Sequence, residues 1–192
     1  MKKIRHSIAD DEFIRSNVPV TKEEVRSIVI SKLQLFEGCT LLDVGAGTGS
    51  VSIEAALSME DGTVYSFEKK PEALELIKEN CKKFEVSNIN IIAGDAPESM
   101  KDIAHCDRAF IGGSSGFLKD IVSYIETIIS KEGRIVITAI TLETVEEALS
   151  YFKKSNFQYE LIQVAISRTV KAGDKNMLRA LNPVFVITAW KI

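Results

Sequence analysis

Short apolar runs rich in Leu, Ile, Val and Phe alternate along this chain with stretches in which apolar residues return every three or four positions. The first pattern reads as buried strands and the second as helices packed on them. Strands are predicted at Leu41–Val44, Thr63–Glu68, Ile89–Ala93, Asp107–Ile111 and Gly133–Ala139. Helices are predicted over Val51–Leu57, from Pro71 through Ala73, Leu74, Ile77 and Cys81, over a segment ending at Ile129, and over Leu142–Lys153. Ahead of the first strand, Val25, Ile28, Val29, Lys32 and Leu33 form one helical stripe. Thr21 and Glu24 have capping-box spacing, so this helix is expected to run from Thr21 to about Leu35 and to stop at Gly38. Asn156–Ile166 and Pro183–Trp190 alternate or run apolar, as an antiparallel pair does. Strands and helices alternating in this way predict a doubly wound, Rossmann-like α/β fold. Its sheet has seven strands, mostly parallel, with one antiparallel strand near the C-terminus.

The strand at Leu41–Val44 runs into Gly45-Ala46-Gly47-Thr48-Gly49-Ser50 and then a helix. Glycines at alternate positions let the backbone pass close under a ligand, and the helix N-terminus aims its free N–H groups at the same place. A dinucleotide fingerprint needs G-x-G-x-x-G; here the third glycine comes one residue early, at Gly49. Glu68 closes the next strand about twenty residues on, the offset at which a carboxylate takes ribose hydroxyls. The third predicted strand ends in Gly94-Asp95-Ala96-Pro97, and the fourth in Gly112-Gly113-Ser114-Ser115-Gly116. In open α/β sheets, ligands sit outside the carboxyl ends of the strands, where these loops gather.

Charge and composition narrow the field. With 45% hydrophobic and 27% charged residues, the 192-residue chain has an ordinary globular composition. Its net charge of −3 argues against a general nucleic-acid binder. Cys39, Cys81 and Cys106 lack C-x-x-C spacing, and His6 and His105 have no ligand partner nearby, so no metal site is expected. Both histidines read as surface or loop residues. No apolar window reaches a transmembrane or signal-peptide length, and a cytoplasmic location is expected. From charge alone, Asp10-Asp11-Glu12-Phe13-Ile14-Arg15 reads as a solvated arm at about residues 1–20 of a single domain spanning 1–192. Arg168, Lys171, Lys175 and Arg179 stand close together in an otherwise acidic chain. They suit either a solvated hairpin loop or a loop that binds the carboxylates of a polyanionic small substrate.

The string Asp43-Val44-Gly45-x-Gly47-x-Gly49 resembles motif I of the class I S-adenosylmethionine-dependent methyltransferases. A narrower resemblance rests on several strings in order. They are Asp10–Arg15, Asp43–Gly49, Gly94–Glu98, Ile111–Ser114, Thr138-Ala139-Ile140 with Leu142-Glu143-Thr144, and Asn182-Pro183-Val184. Together they resemble the decarboxylating cobalt-precorrin-6B C15-methyltransferases of anaerobic cobalamin biosynthesis. That resemblance implies S-adenosylmethionine as cofactor and S-adenosylhomocysteine as its product. The cofactor would be held by Thr21, Asp43, Gly45, Ala46, Gly47, Thr48, Gly49, Glu68, Asp95 and Ala96. It also implies a cobalt-bearing tetrapyrrole substrate and a homotetramer. Arg15, Arg168, Lys171, Lys175 and Arg179 are then candidates for its carboxylates, and Gly112, Gly113 and Ser114 for the border of the reaction site. No general acid or base is singled out. The rival expectations are a class I methyltransferase acting on tRNA or on protein isoaspartyl groups, a non-catalytic S-adenosylmethionine sensor, and, more distantly, a nicotinamide oxidoreductase.

Overall fold

The computed structural model describes residues 7–59 and 61–191, so His6 lies outside the described residues. After α1 (Glu23–Leu33), strands and helices alternate as β1 (Thr40–Val44), α2 (Ser50–Ser58), β2 (Thr63–Glu68), α3 (Pro71–Lys83) and β3 (Ile89–Ala93). They continue as β4 (Cys106–Ile111), α4 (Leu118–Ile128), β5 (Ile129–Ala139) and α5 (Leu142–Phe152). Four strands follow: β6 (Phe157–Val164), β7 (Ser167–Ala172), β8 (Lys175–Ala180) and β9 (Val184–Lys191). One sheet takes seven of them in the order β3-β2-β1-β4-β5-β9-β6. β1 pairs in parallel with β2 and β4, and β4 with β5. β9 is the single antiparallel strand, inserted between β5 and β6.

Successive strand residues point to opposite faces, and both faces are covered. Leu42, Val44 and Ile111 pack with Ile121, Ile125 and Phe152 of α4 and α5. Leu41, Phe110 and Val136 pack on the other side with Val25, Val29 and Ile53 of α1 and α2. Burial on both faces is why these strands read as continuous apolar runs. No helix among the described residues is long and apolar enough to cross a membrane.

Four local expectations give way. Helix α1 starts at Glu23 after Lys22, with no side-chain cap from Thr21, and ends at Leu33 with Gln34 in the left-handed region. The carboxylate of Asp10 caps it instead, accepting Glu23 N–H at 2.9 Å. Glu24, the expected capping-box partner, pairs with Arg168 at 2.6 Å. Gly38, with φ +76°, belongs to the turn into β1 rather than to the helix end. Next, the arm is not solvated along its length. Ile8 and Phe13 are buried in the core, and Asp10 is 8% exposed because Arg26 neutralises it. Finally, residues 167–180 form a two-stranded antiparallel ribbon rather than a plain loop. Strand β5 also begins four residues early, at Ile129, through an irregular register against β4. Only glycine fits at position 133 there, since a Cβ would stand 2.3 Å from Ile129 Cγ1.

Candidate active site

The turn after β1 is held from below by the main chain of β2: Gly45 and Ala46 N–H groups donate to the Phe67 carbonyl at 3.0 and 3.1 Å. Gly45, Gly47 and Gly49 adopt φ values of +73°, +58° and +76°, which L side chains rarely accept. They serve different ends. A Cβ on Gly45 would stand 2.6 Å from the Gly113 carbonyl oxygen, so the two glycine loops touch there. A Cβ on Gly49 would press on Ile77 at 3.1 Å, so this glycine lets α2 pack on α3. Gly47 remains at the surface of the turn, and its N–H donates to Glu68 Oε2 at 2.9 Å.

Glu68, 9% exposed, ends β2 with its carboxylate fixed by three backbone donors. Besides Gly47, Lys69 and Lys70 N–H groups reach Oε1 at 2.9 and 3.0 Å. A carboxylate offers about four lone-pair sites, so acceptor capacity is left for a hydroxyl-bearing ligand. Beneath the turn lies Asp43, fully buried, with the Ser52 hydroxyl donating to Oδ2 at 2.5 Å. Its Oδ1 has no partner among the described residues. Burial pushes the Asp43 carboxyl up to about 7; the Ser52 hydroxyl and N–H oppose this, and the Glu68 charge reinforces it.

These loops surround a cavity of about 410 Å³. Gly45, Ala46, Gly47 and Glu68 form its floor, and Gly94, Asp95 and Ala96 one end. Gly112, Gly113, Ser114 and Ser115 face them from the β4 loop, and Thr21 lies on the arm side. Ten of the sequence-designated residues therefore converge. Asp43, Thr48 and Gly49 are not on the wall but directly below it, with relative exposures of 1% or less for Asp43 and Thr48. Arg15, Lys171, Lys175 and Arg179 are exposed and outside the walls, and Arg168 is committed to Glu24 and Asp10.

The structure adds residues that had been given no role. Val18, Pro19, Val20 and Lys22 wall the cavity from the arm. Thr138, Ile140 and Val184 complete it from β5 and β9, and they belong to the Thr138-Ala139-Ile140 and Asn182-Pro183-Val184 strings. Those strings were the available signal. Lys69 and Asp95 form an ion pair at 2.9 Å at the cavity's edge.

An adenosyl ligand bearing an amino acid fits this cavity: a turn without Cβ atoms, an acid with spare acceptor capacity, and apolar wall from Phe67, Ala96 and Ile121. Thiol chemistry does not fit. Burial pushes Cys39 and Cys81 up to about 11 and Cys106 up to about 12, so all three stay protonated at neutral pH. Among the described residues no three His, Cys, Asp or Glu side chains are grouped to hold a metal.

Comparison with known proteins agrees with this geometry. The precorrin methyltransferase domain pattern matches residues 12–192. A cobalt-precorrin-6B C15-methyltransferase (decarboxylating) of Salmonella typhimurium is 39% identical over 184 residues, 95% of each chain. The crystal structure of a precorrin-6y C5,15-methyltransferase from Geobacter metallireducens superposes with a TM-score of 0.93 at 37% identity, covering 100% of this chain and 98% of that one. A precorrin 8W decarboxylase from Methanobacterium thermoautotrophicum gives 0.89 at 34% identity, covering 94% and 98%. The chain belongs to the precorrin methyltransferase family.

Proposed function

We propose that this chain transfers a methyl group from S-adenosylmethionine to C-15 of a cobalt-precorrin ring and removes one acetate carboxyl as carbon dioxide, a step in cobalamin (vitamin B12) biosynthesis. The observation that carries this reading is the cavity at which the β1 glycine turn, Glu68, the Gly94–Ala96 corner and the Gly112–Ser115 loop meet. S-adenosylmethionine, when bound, supplies an electrophilic methyl group on a sulfonium. Gly45, Ala46 and Gly47 hold its amino-acid end through backbone groups, with Asp43, Thr48 and Gly49 keeping the turn in shape beneath. Glu68 accepts from the ribose hydroxyls, and Asp95 with the Ala96 backbone faces the adenine ring. Thr21 closes the arm side.

The Gly112, Gly113 and Ser114 backbone borders the reacting carbon and, lacking bulk at 112 and 113, lets a flat macrocycle approach. Holding donor and acceptor in line is worth several kcal/mol of barrier. The conjugated ring itself serves as nucleophile and as electron sink for decarboxylation, so no side-chain nucleophile is required. Lys171, Lys175 and Arg179, exposed on the β7–β8 ribbon, together with Arg15, take peripheral carboxylates. Arg168, paired with Glu24 and Asp10 at the base of the ribbon but with a side chain still 41% exposed, is the fifth cation proposed for these carboxylates. Residues 1–192 act as one methyltransferase domain in the cytoplasm, assembled as a homotetramer. The exposed Met177 and Leu178 side chains of the ribbon, 51% and 74% accessible, support such an assembly.

Mass spectrometry of cobalt-precorrin-6B incubated with the protein and S-adenosylmethionine tests the reaction. A product that gains one methyl and loses one carboxyl is expected. Methyl gain alone would remove the decarboxylation. No change, with S-adenosylhomocysteine still bound, would point to an RNA, protein or sensing role. Light scattering coupled to gel filtration checks the tetramer.

A further inference from the structure

The arm makes one wall of the cavity from Val18 to Lys22, and it comes close to the glycine turn: a Cβ on Gly47 would stand 3.3 Å from the Pro19 carbonyl oxygen. A side chain that no motif singled out holds these two parts together. Asn80, on α3 and fully buried, accepts the Ile14 N–H on Oδ1 at 2.7 Å. Its Nδ2 donates to the Ile14 carbonyl at 2.9 Å and to the Thr48 carbonyl, in the glycine turn, at 3.0 Å. A primary amide has the acceptor and the two donors that this triple contact uses. Every hydrogen bond is made within the fold, and Asn80 does not line the cavity.

A second anchor fixes the arm on either side of that point. Arg26, also fully buried, donates from Nη1 to the Thr21 carbonyl at 2.6 Å and from Nη2 to the Ile8 carbonyl. Its charge is matched by Glu54 at 2.6 Å and Asp10 at 3.3 Å. Asp10 in turn meets Arg168 of β7 at 3.5 Å. Between the anchors, Val18 is buried against Ala73 and Leu76 of α3. The arm thus has both its polar backbone and its apolar side chains committed to the body of the fold.

We infer that Asn80 is a positioning residue of the cofactor cavity: by binding Ile14 and Thr48 together, it sets the arm wall against the glycine turn before a ligand arrives. This rests on the S-adenosylmethionine reading above. A pre-set wall spares binding the loss of arm freedom. Asn80→Asp keeps the acceptor, loses both donors, and sets a carboxylate against two carbonyl oxygens. The arm then loses its tie to the glycine turn at Thr48, while Arg26 and the buried Val18 still hold it to the body.

The test compares the full chain with Asn80→Asp, using Ile125→Val in α4 as a control for general destabilisation. S-adenosylhomocysteine binding is read by calorimetry, turnover by KM and kcat, and the arm by amide hydrogen exchange. In Asn80→Asp, S-adenosylhomocysteine affinity is expected to fall at least tenfold. KM for S-adenosylmethionine should rise in step, kcat should change less than threefold, and exchange over residues 14–22 should quicken. Ile125→Val should lower Tm without moving these readings. A variant that loses Tm while affinity and arm exchange stay within twofold of wild type would reduce Asn80 to a merely stabilising residue. Where Asn80→Asp does not fold, ligand-free wild type decides: slow exchange at Ile14 supports the anchor, and exchange at the rate of a free chain overturns it. Wild type that binds no S-adenosylhomocysteine would remove the cofactor reading, and the exchange data would still decide whether Asn80 ties the arm.

Discussion

The glycine turn after β1 and the β7–β8 ribbon are the two places where this chain concentrates groups suited to a ligand, and they are built in opposite ways. At the turn, Asp43, Thr48, Ser50 and Ser52 are all at or below 2% exposure, and the backbone is pinned by Phe67, Glu68 and Asn80. In the ribbon every residue from 171 to 180 is exposed, and the strands hold little beyond each other. Arg168, paired with Glu24 and Asp10 at the base, ties it to the body. The first region places its groups by packing, so its geometry is set by residue identity at each step. The second carries charge at the ends of long side chains that stand in solvent with no pocket around them.

The sharpest way to break this contrast is at Gly45. Gly45→Ala forces a Cβ against the Gly113 carbonyl at a φ of +73°. Affinity for S-adenosylhomocysteine is expected to fall more than a hundredfold by calorimetry; retention within tenfold would mean that the two glycine loops need not touch. Next comes Glu68→Gln, which removes the charge from the hydrogen bond proposed between this side chain and the ribose, worth about 1.5–3 kcal/mol. A tenfold or greater rise in KM for S-adenosylmethionine is expected. An unchanged KM would leave Glu68 as a support for the Gly47 and Lys69–Lys70 backbone alone.

In the other region, neutralising Lys171, Lys175 and Arg179 together should raise KM for the tetrapyrrole about three- to tenfold and weaken with added salt. Binding of S-adenosylhomocysteine should stay within twofold. Loss of both would show that ribbon and turn are one unit. A change of another kind, in stability and not in binding, is expected from Asp43→Asn, visible in how Tm depends on pH. The folded chain keeps the Asp43 proton up to about 7, whereas the unfolded chain releases it near the ordinary value of 3.8. This group therefore makes stability fall as pH rises between those values, and the fall levels off above about 7. Asp43→Asn lacks that component, so Tm measured from pH 4 to 8 should decline less steeply than in wild type. Parallel profiles would show that Asp43 ionises normally in the fold.

The same contrast explains what was legible in the sequence. Strands β1 and β4 and the second half of β5 could be read from apolar runs because both faces of the sheet are covered there, and the glycine turn because only glycine tolerates its backbone. The ribbon escaped because neither of its faces is buried, so no apolar alternation marks it. Its signal was Gly173-Asp174 between two arms of equal length, with Ala172 opposite Lys175. The arm misled by its charge. Asp10, Asp11 and Glu12 look alike in sequence, and only the approach of Arg26 selects Asp10 for burial. Arg26 and Glu54 did leave a trace, since each interrupts an otherwise apolar helix face beside Val25 and Ile53. Asn80 left none, because its partners are backbone groups and any sequence could supply them.

The main chain leaves the sheet at Val164 and rejoins it at Val184, and these two residues stand opposite each other in the β6–β9 register. Leu181 N–H closes the base by donating to the Ile166 carbonyl at 2.9 Å. The excursion between them is therefore a cassette with adjacent ends. Its tip, from Lys171 to Ala180, is exposed throughout, so length and charge there are open to exchange with little disturbance to the seven-stranded sheet or the glycine turn. Arg168 at the base keeps its pairs with Glu24 and Asp10. On the carboxylate-binding role proposed for the ribbon, exchanging this cassette changes which substrate is held and leaves the glycine-turn half as it is.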